Sequence, residues 1–226
     1  MAEKSINIAS WPCLSNGLHY NWLVDYAAFS AFGTFELSAE EWEKRDLIVN
    51  FKGNSELTTE IDHQQAVDKA IDLVSSFLKA VFAEKEGTTN SLPTLSQLTL
   101  VCLPASTQKH TERRFRKFSE QVCAATGMQN AYNAFSFTTT CAATGMQNAY
   151  NAFSFTTTKD EDGDEVDTLH IDETFFQRKQ VILFDDIIAS GGSIVRFAEK
   201  LEKSGAKVIA ALALGKKIPD GYDNNE

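Results

Sequence analysis

Residues 181–194, VILFDDIIASGGSI, run four apolar residues into two adjacent aspartates and then into a small, hydroxyl-bearing glycine turn. Each part is unfavourable alone, since paired carboxylates repel one another and Gly-Gly loses backbone entropy on folding. A ligand that needs both would account for the combination. Asp185 and Asp186 can accept hydrogen bonds from sugar hydroxyls and attract hydrated Mg²⁺. Ala189, Ser190, Gly191 and Gly192 are small enough for the backbone to wrap a phosphate, and Ser190 and Ser193 add hydroxyl donors. A helix that starts there offers free N–H groups and the positive end of its dipole. A sugar phosphate satisfies the whole stretch, with diol and metal on one side and phosphate on the other.

The elements that must position these groups are legible around them. VILF (181–184) is a buried-type strand, with the aspartates at its carboxyl end. A helix from Ser193, with Ile194, Phe197 and Leu201 inward, ends at Gly205, and VIAALALG (208–215) is the next strand. Strand, helix and strand of these lengths form a right-handed βαβ unit with a parallel sheet. Upstream, LTLVCLP (98–104) is another buried strand, followed by a polar turn and a helix with Phe115, Phe118 and Val122 on one face and Gly127 as C-cap. FSFTTT and VDTLHID pair as a hairpin across KDEDGD. The predicted class is α/β.

The N-terminal part reads differently. Residues 20–53 are aromatic-rich and predict short strands or an irregular lobe, with a helical turn where Ser38 caps and Glu41 follows. Asp62 is expected to open a helix whose apolar positions Val67, Ile71, Val74, Leu78 and Val81 keep helical spacing. GTTNSLPT then breaks the chain, giving an N-terminal lobe or hood over 1–90 and a core over 91–226. CAATGMQNAYNAFSFTTT occupies 123–140 and recurs letter for letter at 141–158. Two identical copies fit a tandem duplication accommodated in a loop or hairpin better than a repeat fold.

Composition narrows the classes. The 226 residues are 43% hydrophobic and 23% charged, as in soluble globular proteins. A net charge of -10 argues against a broad nucleic-acid surface. No apolar run approaches the roughly 20 residues of a membrane helix. Cys13, Cys102, Cys123 and Cys141 form no CxxC pair, which argues against a zinc ribbon or disulfide framework and for a reducing cytoplasm. KDEDGDEVD lacks the glycine and terminal Glu of an EF-hand loop and is expected to be a solvated hairpin tip.

VILFDDIIASGGS closely resembles the signature of type I phosphoribosyltransferases, which bind 5-phosphoribosyl 1-pyrophosphate (PRPP). The resemblance implies a parallel-sheet phosphoribosyltransferase core with a hood. It assigns Asp185 and Asp186 to the ribose hydroxyls with Mg²⁺, and Ala189, Ser190, Gly191, Gly192 and Ser193 to the 5-phosphate. LVCLPASTQKHTERRF (100–115) looks like the pyrophosphate loop and following helix of the ComF-like branch, typified by a competence protein linked to DNA uptake. The matching positions are Ala105, Ser106 and Thr107, with Lys109, Arg113 and Arg114 as cations for leaving pyrophosphate. LIVNFKG (47–53) is similar to a segment near that branch's N-terminus.

The departures leave alternatives open. The Cys-rich zinc module common in the ComF-like branch is missing, with only Cys13 in that region. Ala189 stands where hypoxanthine and guanine enzymes carry an acid, which disfavours those activities and leaves a nucleobase or amine acceptor unspecified. The expected hood is acidic and poor in cations, which counts against efficient transfer. Arg113, Arg114 and Arg116 equally suit a solvated helix face, and His110 is a candidate phosphate contact. The alternative to a Mg²⁺-dependent transferase is a PRPP- or nucleotide-sensing protein without turnover, and behind it a DNA-uptake accessory. The resemblance also implies a homodimer.

Overall fold

The computed structural model describes residues 7–26, 37–83, 92–105, 107–132, 153–159 and 165–217. Five parallel strands form the main sheet: β1 (Tyr20–Tyr26), β2 (Leu98–Cys102), β3 (Gln129–Asn130), β6 (Gln180–Ile188) and β7 (Lys207–Lys217), in the order β1-β7-β6-β2-β3. The second sheet is a two-stranded antiparallel ribbon of β4 (Phe153–Lys159) and β5 (Glu165–Ile171). The helices are α1 (Ala39–Lys52), α2 (Glu60–Val81), α3 (Gln108–Thr126), the single turn α4 (Glu173–Phe176) and α5 (Gly192–Lys203).

Every residue of β2 is buried, as are Val181 to Phe184 of β6. Continuous apolar runs of this kind belong to parallel strands covered on both faces. α1, α2 and α3 pack against one another. Right-handed crossovers put them on one face of the sheet and α5 on the other. Phe184 points to the three-helix face and stacks on Phe118 with ring centroids 4.4 Å apart. Phe51 and Phe115 complete that cluster at edge-on or tilted angles, and all four rings are buried. The opposite face is covered by Ile194, Phe197, Ala198 and Leu201 of α5, the positions expected from helical spacing.

Several expectations hold: the Ser38–Glu41 capping box, Gly127 as the left-handed C-cap of α3 (φ 76°), the β6–α5–β7 unit and the β4–β5 pairing. Others need correction. The cap of α2 is Thr59, and Asp62 is its reciprocal capping-box partner at the third helical position. The described parts of 20–53 are one parallel edge strand and one full helix, whose Leu47, Ile48 and Phe51 form a buried stripe. The described part of 1–90 is therefore no separate lobe: β1 pairs with β7, and α1 and α2 share the core of α3. β6 runs four residues beyond the expected VILF, so the aspartates lie inside the strand. No helix among the described residues is long and apolar enough to cross a membrane.

Candidate functional site

β2 leads through α3 to β3 on one side, whereas β6 leads through α5 to β7 on the other. The strand order thus reverses between β2 and β6, and ligands of open α/β sheets bind beyond the carboxyl ends of the strands at such a point. The described residues after these two strands, 103–105 and 189–191, flank the crevice, with Leu103 N–H donating to the Phe184 carbonyl at 2.8 Å. These residues belong to the two segments singled out in the sequence, 100–115 and 181–194.

The turn after β6 has the form of an anion cradle. Gly191 adopts φ 76° as the N-cap of α5, and no side chain caps that helix. Gly192 N–H reaches Ser190 Oγ at 3.5 Å, which leaves the next first-turn N–H groups, those of Ser193 and Ile194, without a side-chain cap. Ala189, Ser190 and Ser193 are exposed. Arg196 folds back over the helix start, its Nη1 3.5 Å from where a Cβ on Gly192 would lie. Leu14 packs so closely on Gly191 that a side chain there would have to displace it.

The acidic pair is split. Neighbours in a strand point to opposite faces. Asp186 is buried on the three-helix face, where Arg114 Nη1 donates to its Oδ2 at 2.8 Å and Lys52 Nζ lies 3.8 Å from its Oδ1. Arg114 Nε donates in addition to the Lys52 carbonyl at 3.0 Å, so its guanidinium ties the end of α1 to β6. Asp185 is half-buried and accepts the Asp186 N–H at 2.8 Å. Burial, and then the neighbouring Asp186 charge, push its carboxyl up to about 7. Asp185 is the member of the pair not committed to an ion pair with Arg114.

Most of the described residues among the predicted pyrophosphate ligands are engaged by other side chains and backbone groups of the chain. Ala105 N–H donates to Thr111 Oγ1 at 2.9 Å, and Thr107 Oγ1 caps α3 by accepting from His110 N–H at 3.3 Å. Arg113 pairs with Glu60 at 2.9 Å, while Arg114 is committed to Asp186. Lys109 is exposed; Ser106 lies outside the described residues, as does most of the duplication. His110 Nδ1 is buried without a hydrogen-bond partner.

The residues do not fit a Mg²⁺ ion held by both carboxylates. Asp185 and Asp186 leave opposite faces of β6, and two cations already stand against Asp186. Among the described residues no three His, Cys, Asp or Glu side chains converge on a metal position. A cleft of about 640 Å³ lies at the far, amino end of the strands beside Gln180 and Lys207, away from this crevice. Three residues of the site had no role in the sequence: Lys52, Arg196 and Leu14. The place of Arg196, four residues after Gly192, was the available signal for one of them, since side chains at that spacing share a helix face.

No protein-family model and no curated protein matches the chain. Among solved structures, it is similar to a hypoxanthine phosphoribosyltransferase from Staphylococcus aureus, with TM-score 0.32 and 11% identity over 69% of this chain and 75% of that one. A purine phosphoribosyltransferase from Pyrococcus horikoshii aligns with TM-score 0.31 and 12% identity over 71% and 91% of the two chains. An adenine phosphoribosyltransferase from Trypanosoma brucei, in complex with AMP, pyrophosphate and ribose-5-phosphate, aligns at 0.33 and 9% over 80% and 83%. Superpositions this loose carry no weight for the chemistry, which stands on the chain's own strand order and side chains.

Proposed function

We propose that this chain binds PRPP in the β2–β6 crevice and acts as a phosphoribosyltransferase on a nucleobase or amine acceptor. The observation that carries this is the uncapped start of α5, beside a half-buried Asp185, at the point where the strand order reverses. The N–H groups of Ser193 and Ile194, the Ser190 and Ser193 hydroxyls and Arg196 would hold the 5-phosphate. Asp185 would accept hydrogen bonds from the ribose diol. In the transfer step the C1–O bond to pyrophosphate breaks as the acceptor lone pair forms the new bond to C1, and the bonding electrons leave with the pyrophosphate oxygen. Positive charge grows on the sugar and negative charge on the leaving group. The chain's part is positional and electrostatic, with basic side chains of the β2 wall, Lys109 foremost, facing the departing charge. Mg²⁺ enters only as the counter-ion that PRPP itself carries.

A second reading, binding without turnover, is favoured by one specific contact. The buried Arg114–Asp186 pair removes one expected ribose ligand and one expected pyrophosphate ligand together. Calorimetric titration of PRPP with and without Mg²⁺, into the intact chain and Asp185→Asn, tests the shared premise. Binding that Asp185→Asn weakens supports the site, and no binding by the intact chain overturns it. A coupled assay of pyrophosphate release over a panel of nucleobases and amines then separates transferase from sensor.

A further inference from the structure

The cleft at the amino ends of the strands is built from the starts of three neighbours in the sheet. β2, β6 and β7 begin in one register row, with Leu98 beside Gln180 and Gln180 beside Lys207. Gln180, Lys207 and Gln97, the residue before β2, all line the cleft. Its volume of about 640 Å³ falls within the range of small-molecule sites. The remaining lining is largely apolar. Ile8 and Val208 are buried, whereas Leu92 is 44% exposed, so apolar surface stands open to a ligand there.

The polar heads in this cleft are donors without acceptors. Gln97 Oε1 accepts the Thr94 N–H at 2.9 Å across the short turn Leu95–Gln97, which leaves the donor end of that amide uncommitted. The half-buried Gln180 amide and the Lys207 ammonium make no side-chain hydrogen bond or ion pair among the described residues. Lys179, one residue before Gln180, shows the contrast, since its ammonium donates to Gln129 Oε1 at 2.8 Å and lies over the Phe175 ring. None of the lining residues is Asp or Glu, in a chain whose net charge is -10. One cation flanked by neutral amide donors suits a singly charged planar anion, whereas a phosphate dianion would call for more positive charge. The apolar lining suits a hydrocarbon body attached to that anion.

We propose that this cleft is a second ligand site, separate from the β2–β6 crevice, which binds a small amphipathic carboxylate. The carboxylate meets Lys207 and the Gln180 amide, and the apolar body lies against Ile8, Leu92 and Val208. The site does not rest on the function proposed above. Octanoate, acetate and octanol are each titrated into the full chain and followed by backbone amide signals in proton–nitrogen correlation spectra. Octanoate is expected to saturate, to shift the amides of Gln180, Lys207 and Val208, and to leave those of Ser190 to Ile194 in place. Acetate lacks the body and octanol lacks the charge, so each is expected to bind about 10-fold more weakly or worse. Lys207→Met keeps the bulk of the stem without the charge and should weaken octanoate about 10-fold, with Lys207→Arg restoring most of the affinity. Leu92→Ser should weaken octanoate about 5-fold through lost apolar contact. Lys207 and Leu92 are both exposed, and circular dichroism melts confirm that the variants fold. Shifts centred on Ser190 to Ile194, octanol binding as tightly as octanoate, unchanged octanoate affinity in Lys207→Met, or no saturable binding by the intact chain overturns the inference.

Discussion

Arg114 of α3 and Asp186 of β6, 72 residues apart in sequence, meet at 2.8 Å with both side chains buried above the four-phenylalanine cluster. The pair closes the top of the core, and the same guanidinium holds the end of α1. Removing one partner leaves an uncompensated charge in that position, so Asp186→Ala should cost about 3–5 kcal/mol of folding free energy. The double replacement Arg114→Met/Asp186→Leu should recover most of that loss, since a buried pair is often replaceable by apolar groups of similar volume. Urea unfolding of the single and double variants measures both. A double variant no more stable than Asp186→Ala would show that the Lys52 carbonyl bond, and not the charge pair, is what matters.

Asp185 gives the chain a pH dependence of definite sign. Its carboxyl is raised from 3.8 to about 7 in the fold, so between those values the folded chain holds more of this proton than the unfolded chain. Its contribution therefore lowers stability as pH rises from about 4 to about 7, after which it is constant. Asp185→Asn should melt at the same temperature as the parent near pH 4 and higher than the parent at pH 8. It should also bind PRPP more weakly at pH 8, where the parent offers a carboxylate to the diol. Melts and titrations at the two pH values decide it, and an Asp185→Asn advantage that does not grow with pH would refute the assigned cause.

Thiol reactivity should separate the described cysteines cleanly. Cys102 and Cys123 are buried, and burial raises both thiols, that of Cys123 to about 12, so neither offers a thiolate near neutrality. Cys13 is exposed, with its Sγ 3.3 Å from His19 Nδ1. In a Cys141→Ser background, a thiol reagent at pH 8 should titrate one group in the native protein and three in urea. Rapid native reaction of a second thiol would place Cys102 or Cys123 in an opening segment of the core.

How far the sequence carried is clear element by element. β2, β6, β7, α3 and α5 were legible because their apolar spacing and glycine stops are local signals, and the glycine turn that starts α5 was legible because its small residues fall between a strand and a helix. β1 and α1 were misjudged because Trp22 and Tyr20 look like a lobe of their own until β7 is known to lie beside them. β3 has two residues and exists only by pairing with β2. The acidic pair was read as one unit because adjacency in sequence conceals that a strand sends neighbours to opposite faces. Of the duplicated stretch, the described residues of the first copy end α3 and supply β3, and those of the second, FSFTTT, lie in β4 and pair with β5.

Leu14 and Gly191 make the last contact that can be broken selectively. Gly191 sits at φ 76°, where an L side chain is strained, and a methyl there would overlap Leu14. Gly191→Ala therefore combines two faults, one of backbone and one of packing. Leu14→Ala removes only the second, so the double variant should regain part of the stability lost by Gly191→Ala but not all of it. The single Gly191→Ala should lose about 1–2 kcal/mol from the backbone alone, plus the cost of moving Leu14. Affinity follows a different course from stability. Distorting the turn misaligns the Ser193 and Ile194 N–H groups, so Gly191→Ala should weaken PRPP and ribose 5-phosphate alike, and Leu14→Ala by itself should weaken neither. Denaturant melts and titration of both ligands into the three variants test this. Full recovery in the double variant would show that the left-handed backbone carries no strain, and weak ligand binding by Leu14→Ala would make the N-terminal segment part of the cradle itself.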